Sequence, residues 1–181
     1  MNRHFLLTVF ATCAVLLTAG YAVDRPGLTA KDLLQFTPIS EGIRRASSVT
    51  LYEGLPHQTW EADELKKELA TKKTVSFHAF PFYERPLVLA ADEVEPLRRL
   101  AADASSYTTY GGPKLCGGYH PDYCLTWKDG SAAYQLLICF GCHEMKLYGP
   151  NSELIVDIGE EAFRAFEAAL KKHRDQRPKT K

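Results

Sequence analysis

The 181-residue chain lacks an excess of charge of either sign, with 22 Lys and Arg against 22 Asp and Glu. Nucleic-acid binding by phosphate neutralisation needs surplus cations, so no nucleic-acid partner is expected. The chain also lacks a long hydrophobic run: the most apolar stretch, Phe5 to Thr18, is about 14 residues, short of the roughly 20 that a membrane-spanning helix requires. Three catalytic signatures are missing too: the Gly-x-Ser-x-Gly nucleophile elbow, the phosphate-cradling Gly-x4-Gly-Lys-Ser/Thr loop and the His-Glu-x-x-His zinc helix. Aromatics, by contrast, are plentiful. Nine Tyr, nine Phe and two Trp in a chain that is 45% hydrophobic exclude a disordered protein.

The N-terminus reads as an export signal. Asn2, Arg3 and His4 make a polar, positive start, the apolar run follows, and Gly20 and Ala22 supply small residues for a cut after Ala22. Residues 1–22 are therefore expected to be a signal peptide, giving a periplasmic or extracellular protein. The alternatives are an uncleaved membrane anchor and lipid attachment at Cys13, although Phe10-Ala11-Thr12 matches a lipobox poorly. Removal of residues 1–22 leaves 181 − 22 = 159 residues and takes away one base, so 21 basic residues face 22 acidic ones. A domain of that size buries about 70% of the surface that its unfolded chain exposes, enough for one core.

Residues 23–47 read as a lead-in with one short helical stretch around Ala30 to Phe36, and a single domain is expected over 48–175, followed by a basic tail, 176–181. Val49 and Leu51 suggest a strand, and Ala62, Leu65 and Leu69 a surface helix. Val75, Phe77 and Ala79 alternate as in a half-buried strand that Pro81 ends. Asp92 with Glu95 looks like a capping box for a helix reaching about Ala102, and Asp157 with Glu160 does the same for a last helix carrying Phe163, Phe166 and Leu170 on one face. Between them, Tyr123 to Trp127 and Ala132 to Phe140 flank Asp129-Gly130, a strong hairpin signal. Met145 to Tyr148 and Leu154 to Val156 add two strands around Gly149-Pro150-Asn151. The fold class expected is α+β: an antiparallel sheet of about five or six strands with two or three helices packed on one side.

Candidate chemistry concentrates in Cys116-Gly117-Gly118-Tyr119-His120-Pro121-Asp122 and Cys139-Phe140-Gly141-Cys142-His143. A two-residue turn at Asp129-Gly130 pairs Trp127 with Ala132, Cys124 with Gln135 and His120 with Cys139. It places Trp127, Leu125, Tyr123, Tyr134, Leu136, Ile138 and Phe140 on one core-facing side. Cys124 then lies too far along the sheet to bond Cys139, whereas Cys116, beyond two glycines, folds back toward Cys139 or Cys142.

Three arrangements fit that cluster. A structural disulfide joins Cys116 to Cys139 or Cys142, as exported thiols commonly do. Alternatively Cys116, His120, Cys139 and Cys142 form a metal site, zinc being the ion that thiolate and imidazole suit. In the third, Cys139-x-x-Cys142-His143 is a covalent haem attachment, Cys139 and Cys142 giving thioethers and His143 the axial ligand, with His78 or His120 on the other side. Thiol-disulfide exchange is a further, weaker possibility, because no helix opens at the Cys-x-x-Cys. His57 and His78 lack partners nearby in sequence and read as surface or satisfied histidines. Asp122 and Glu144 read as solvated acids beside a turn, and Lys171 to Lys181, with seven basic residues counting His173, as a frayed solvated end.

Leu51-Tyr52-Glu53-Gly54-Leu55-Pro56-His57, Phe80-Pro81-Phe82-Tyr83, Cys116-Gly117-Gly118 with His120-Pro121-Asp122, and Ile138-Cys139-Phe140-Gly141-Cys142-His143-Glu144 together resemble a group of small exported bacterial proteins, often lipoprotein-like and of uncharacterised function. The resemblance spans about residues 48–175. It implies a shared fold and Cys/His core and carries over no activity. The expectation is a non-enzymatic binding or structural module without catalytic residues or a required cofactor. Its partner would be an unidentified protein or small molecule, with an exposed patch at Phe80 to Tyr83 as the candidate contact, and membrane contact would come only through an anchor. The rival is a c-type haem electron carrier.

Overall fold

The computed structural model describes residues 27–178, so the stretch 1–22 expected to be an export signal, with Cys13, lies outside the described residues. Four helices, α1 (Ala30–Arg45), α2 (Ala62–Thr71), α3 (Ala91–Ala102) and α4 (Glu160–Leu170), accompany eight strands. The strands are β1 (Ser48–Glu53), β2 (Thr74–Phe77), β3 (Phe80–Tyr83), β4 (Tyr107–Thr109), β5 (Tyr123–Asp129), β6 (Ala132–Cys139), β7 (Glu144–Gly149) and β8 (Ser152–Ile158). Six of them form an antiparallel sheet in the order β1-β5-β6-β7-β8-β4, while β2 and β3 make a separate hairpin. The fold is α+β.

The lead-in is more structured than its sequence suggests. α1 runs to Arg45, well past the expected Phe36, and its Phe36, Ile39 and Ile43 are buried in the main core. The Thr29 hydroxyl accepts the Asp32 N–H while the Asp32 carboxylate accepts the Thr29 N–H, a reciprocal cap, and Arg44 and Arg45 occupy the negative end. Pro38 sits inside the helix; the carbonyl that loses its partner belongs to Leu34, a residue 76% exposed, where water can serve it. Three buried apolar side chains, each contributing about 1.5–3 kcal/mol, outweigh the proline's cost of about 3 kcal/mol.

α1, α3 and α4 pack on one sheet face, where their apolar sides meet Leu125, Trp127, Leu136, Ile138, Met145, Leu147 and Val156. The opposite face is smaller. There Cys124, Leu137 and Tyr148 are covered by Phe82, Val75, Phe77 and Phe80 of the β2-β3 hairpin and by Tyr119.

The β5-β6 hairpin keeps the expected faces but not the expected register. Asp129 pairs with Ala132, Trp127 with Tyr134 and Cys124 with Leu137, a shift of two residues. Gly130-Ser131, with Gly130 at φ +58°, forms the two-residue turn, because the positive φ belongs at its first position. A two-residue shift preserves sidedness, so the core set survives. Three further expectations change. Pro81 does not end a strand; it lies within β3, opposite Ser76. At α3 the capping acid is Glu93, whose carboxylate accepts the Ala90 N–H at 2.6 Å. Asp157 does not cap α4, whose cap position is Gly159; it remains in β8 and binds Lys114.

Candidate functional site

The loop between β4 and β5, residues 110–122, crosses the end of the sheet and is fastened at many points. Cys116 lies at disulfide distance from Cys142, with Cα atoms 5.8 Å apart, which selects one of the two expected partners. Lys114 reaches into the sheet, where its ammonium donates to Asp157 at 2.8 Å and lies 3.4 Å from Glu144. Although burial opposes its charge, the Asp157 hydrogen bond and the two carboxylates raise the lysine pKa. Trp60 Nε1 donates to the Cys116 carbonyl at 3.1 Å, and the Thr59 hydroxyl to that of Gly117 at 2.8 Å. Tyr119 donates its hydroxyl to the Leu137 carbonyl, and His120 Nε2 meets the Leu55 carbonyl at 2.7 Å.

Among the described residues the other two cysteines, Cys124 and Cys139, are not disulfide-bonded. Cys139 is buried, and its sulfur accepts N–H groups from Cys142, at 3.2 Å, and from His120. Burial pushes its pKa up to about 11, with Asp122 and Glu144 adding to the effect; burial pushes Cys124 up to about 12. At neutral pH both stay thiols, and a thiol is a poor nucleophile and metal ligand. Both sulfurs of the Cys116–Cys142 pair are also spoken for, so the expected zinc set reduces to His120 and Cys139. Among the described residues no group of three or more His, Cys, Asp or Glu side chains is arranged to hold a metal. A haem at Cys139 and Cys142 would need the Cys142 sulfur, and His143, at φ +56°, stacks its ring on Phe163 with centroids 3.7 Å apart.

The acids and histidines differ most from expectation. Asp122 and Glu144 are not free solvated carboxylates. Asp122 accepts the Phe140 N–H at 2.8 Å, and Glu144 is buried beside Lys114, its pKa raised by burial. Register aligns Cys139, Glu144, Asp157 and Thr108 in one row across four strands. His78 is satisfied, bonded to Gln135 at 2.7 Å and stacked on Tyr148. His57, however, is not a surface residue. Its Nδ1 accepts the N–H groups of Thr59 and Trp60, its ring lies 4.7 Å from that of His120, and its Nε2 is buried without a hydrogen-bond partner among the described residues. Burial lowers the His120 pKa, so that imidazole is neutral near pH 7.

Segment 174–178 is not frayed. The Glu53 carboxylate, on a residue 1% exposed, accepts the consecutive N–H groups of Asp175, Gln176 and Arg177. The Arg177 guanidinium then donates to Asp122 at 3.0 Å and to Glu61, whose carboxylate also accepts the His57 N–H. Sequence reasoning missed this group because its members are scattered from residue 53 to 177; Arg177 looked like any tail cation.

Two clefts lie near these groups, of which the first borders the disulfide at Cys142. One, about 690 Å³, is lined by Lys114, Cys142, His143, Tyr107 and the Gly159-Glu160 start of α4. The other, about 420 Å³, runs along Glu53, Asp122, Phe140, Lys171 and Arg177. No family model, curated protein or solved structure matches this chain.

Proposed function

We propose that this protein is an exported, non-enzymatic binding module, clasped by a Cys116–Cys142 disulfide that fixes the walls of its ligand cleft. The observation that carries this reading is the position of that pair: it ties the 110–122 loop to the β6-β7 turn, at the mouth of the 690 Å³ cleft. A crosslink there suits an oxidising compartment, in keeping with the leader expected from residues 1–22. Cys139 and Cys124, held protonated by burial, offer no activated nucleophile, which supports binding over catalysis. A pre-formed cleft with a few inward polar groups is the usual form of a small-molecule site.

The rival reading, a haem carrier, has the Cys139-x-x-Cys142-His143 spacing in its favour and separates cleanly by experiment. Protein purified from the exported fraction is expected to be colourless, with a mass two hydrogens below the fully reduced chain. A Soret band with a heavier covalent adduct, from a host that matures c-type cytochromes, would overturn the proposal. Zinc released by a chelator, with the two hydrogens retained, would replace the disulfide by a metal clasp.

A further inference from the structure

Glu53, Glu61 and Asp122 come from three separate places, the end of β1, the turn before α2 and the entry to β5, and converge on one residue, Glu61 and Asp122 on its side chain and Glu53 on its backbone N–H. That residue is Arg177, whose side chain is 10% exposed. The receiving groups are held before it arrives: Glu61 by the His57 N–H at 2.8 Å and Asp122 by the Phe140 N–H at 2.8 Å. Two carboxylates meet two different nitrogens of the guanidinium, a fork that an ammonium cannot reproduce. The third, Glu53, takes backbone N–H groups alone, three in succession, which requires the peptide to bend around the carboxylate and asks nothing of its side chains. Beside them the 420 Å³ cleft continues past Phe140, Gly141 and Lys171.

The seated segment is held chiefly by polar contacts. Apart from the Glu53 grip and the Arg177 fork, Asp175 pairs with Arg85 at 2.7 Å in an exposed bridge, and Gln176 Nε2 donates to the Arg85 carbonyl. It pairs with no strand. Exposed bridges contribute little and buried ion pairs lose much of their attraction to desolvation, and release of the segment would leave every strand pairing of the sheet intact. Within the seated residue itself, Arg177 Nε is buried with no hydrogen-bond partner among the described residues.

We propose that Glu53, Glu61 and Asp122 form a recognition slot for an arginine on a bent peptide segment, which residues 174–178 occupy in cis and which an arginine-bearing segment of a partner protein enters by displacing them. The slot is distinct from the 690 Å³ cleft, so it stands or falls independently of the ligand proposed there.

The test uses the full chain and a fluorescent peptide with the sequence of residues 172–178. Arg177→Ala in the protein removes the competitor in cis, and the peptide is expected to bind that variant at least tenfold more tightly than the native chain. Replacing the peptide's arginine at position 177 by lysine, or the receptor's Asp122 by Asn, is expected to weaken binding tenfold or more. Equal binding to native and variant chains, or a lysine peptide as good as the arginine one, overturns the proposal. Should Arg177→Ala fail to fold, hydrogen exchange on the native chain decides: saturating peptide accelerates exchange of the amides of residues 175–177, and unchanged exchange refutes displacement.

Discussion

Breaking the Cys116–Cys142 crosslink has a consequence whose size follows from the chain itself. The two residues are 26 apart, and closing a loop of that length lowers the entropy of the unfolded chain enough to stabilise the fold by about 3.5 kcal/mol in the chain-entropy model. For a domain of this size that corresponds to a fall of about 7–14 °C in Tm on reduction. Cys116→Ser and Cys142→Ser are each expected to lose the crosslink and this stability. Cys139→Ser is expected to keep the crosslink, since Cys139 is a free thiol. Urea unfolding of the four proteins, with and without reductant, measures the difference; Trp127, fully buried, reports the core, and Trp60, bonded to the Cys116 carbonyl, reports the loop. A Cys139→Ser chain that loses the two-hydrogen mass deficit, or a reduced native chain as stable as the oxidised one, would refute the pairing and the magnitude respectively.

Alkylation at pH 8 should modify neither Cys124 nor Cys139 in the folded protein, given thiols pushed to about 12 and about 11, and both once urea unfolds it; rapid native labelling of Cys139 would show an open, activated site. Acid stability should depend on Glu93, whose carboxyl the Lys172 hydrogen bond, with Ala90 and His173, holds at about 2 against an ordinary 4.5. Its contribution is present above pH 4.5 and lost as pH falls toward 2, so Glu93→Gln is expected to flatten the decline of urea midpoints across that window, and an unchanged slope would contradict the assignment. Gly42→Ala should destabilise the fold by about 1–3 kcal/mol, because a β-carbon there would lie 1.9 Å from the Tyr134 ring; shortening Tyr134 to Leu in the same chain should recover part of the loss in thermal melts.

What the sequence made legible was periodicity. Alternation gave the two faces of β5 and β6 correctly even though the turn was misplaced by one residue, because sidedness survives an even shift. The Pro38 break hid the second half of α1, although Phe36, Ile39 and Ile43 already carried the helical spacing. The Cys116–Cys142 pair was one of two options that loop length alone could not separate. Glu53, Asp122 and Arg177 were invisible as a group: each is an ordinary charge locally, and only the folded chain brings them within hydrogen-bond reach. Pairwise burial of opposite charges leaves no periodic trace.

The strand order has an implication for how the chain acquires its fold. β5, β6, β7 and β8 are consecutive in sequence and adjacent in the sheet, so residues 123–158 form a meander of short closures that needs nothing from the N-terminal half. β1 and β4 pair with its two outer edges across much longer loops, whose closure costs more entropy and is slower. Synthesis therefore delivers α1 and β1 first, yet their docking surface exists only once the meander has emerged. Until then Phe36, Ile39, Ile43 and Leu51, all buried in the finished fold, have no sheet to cover them.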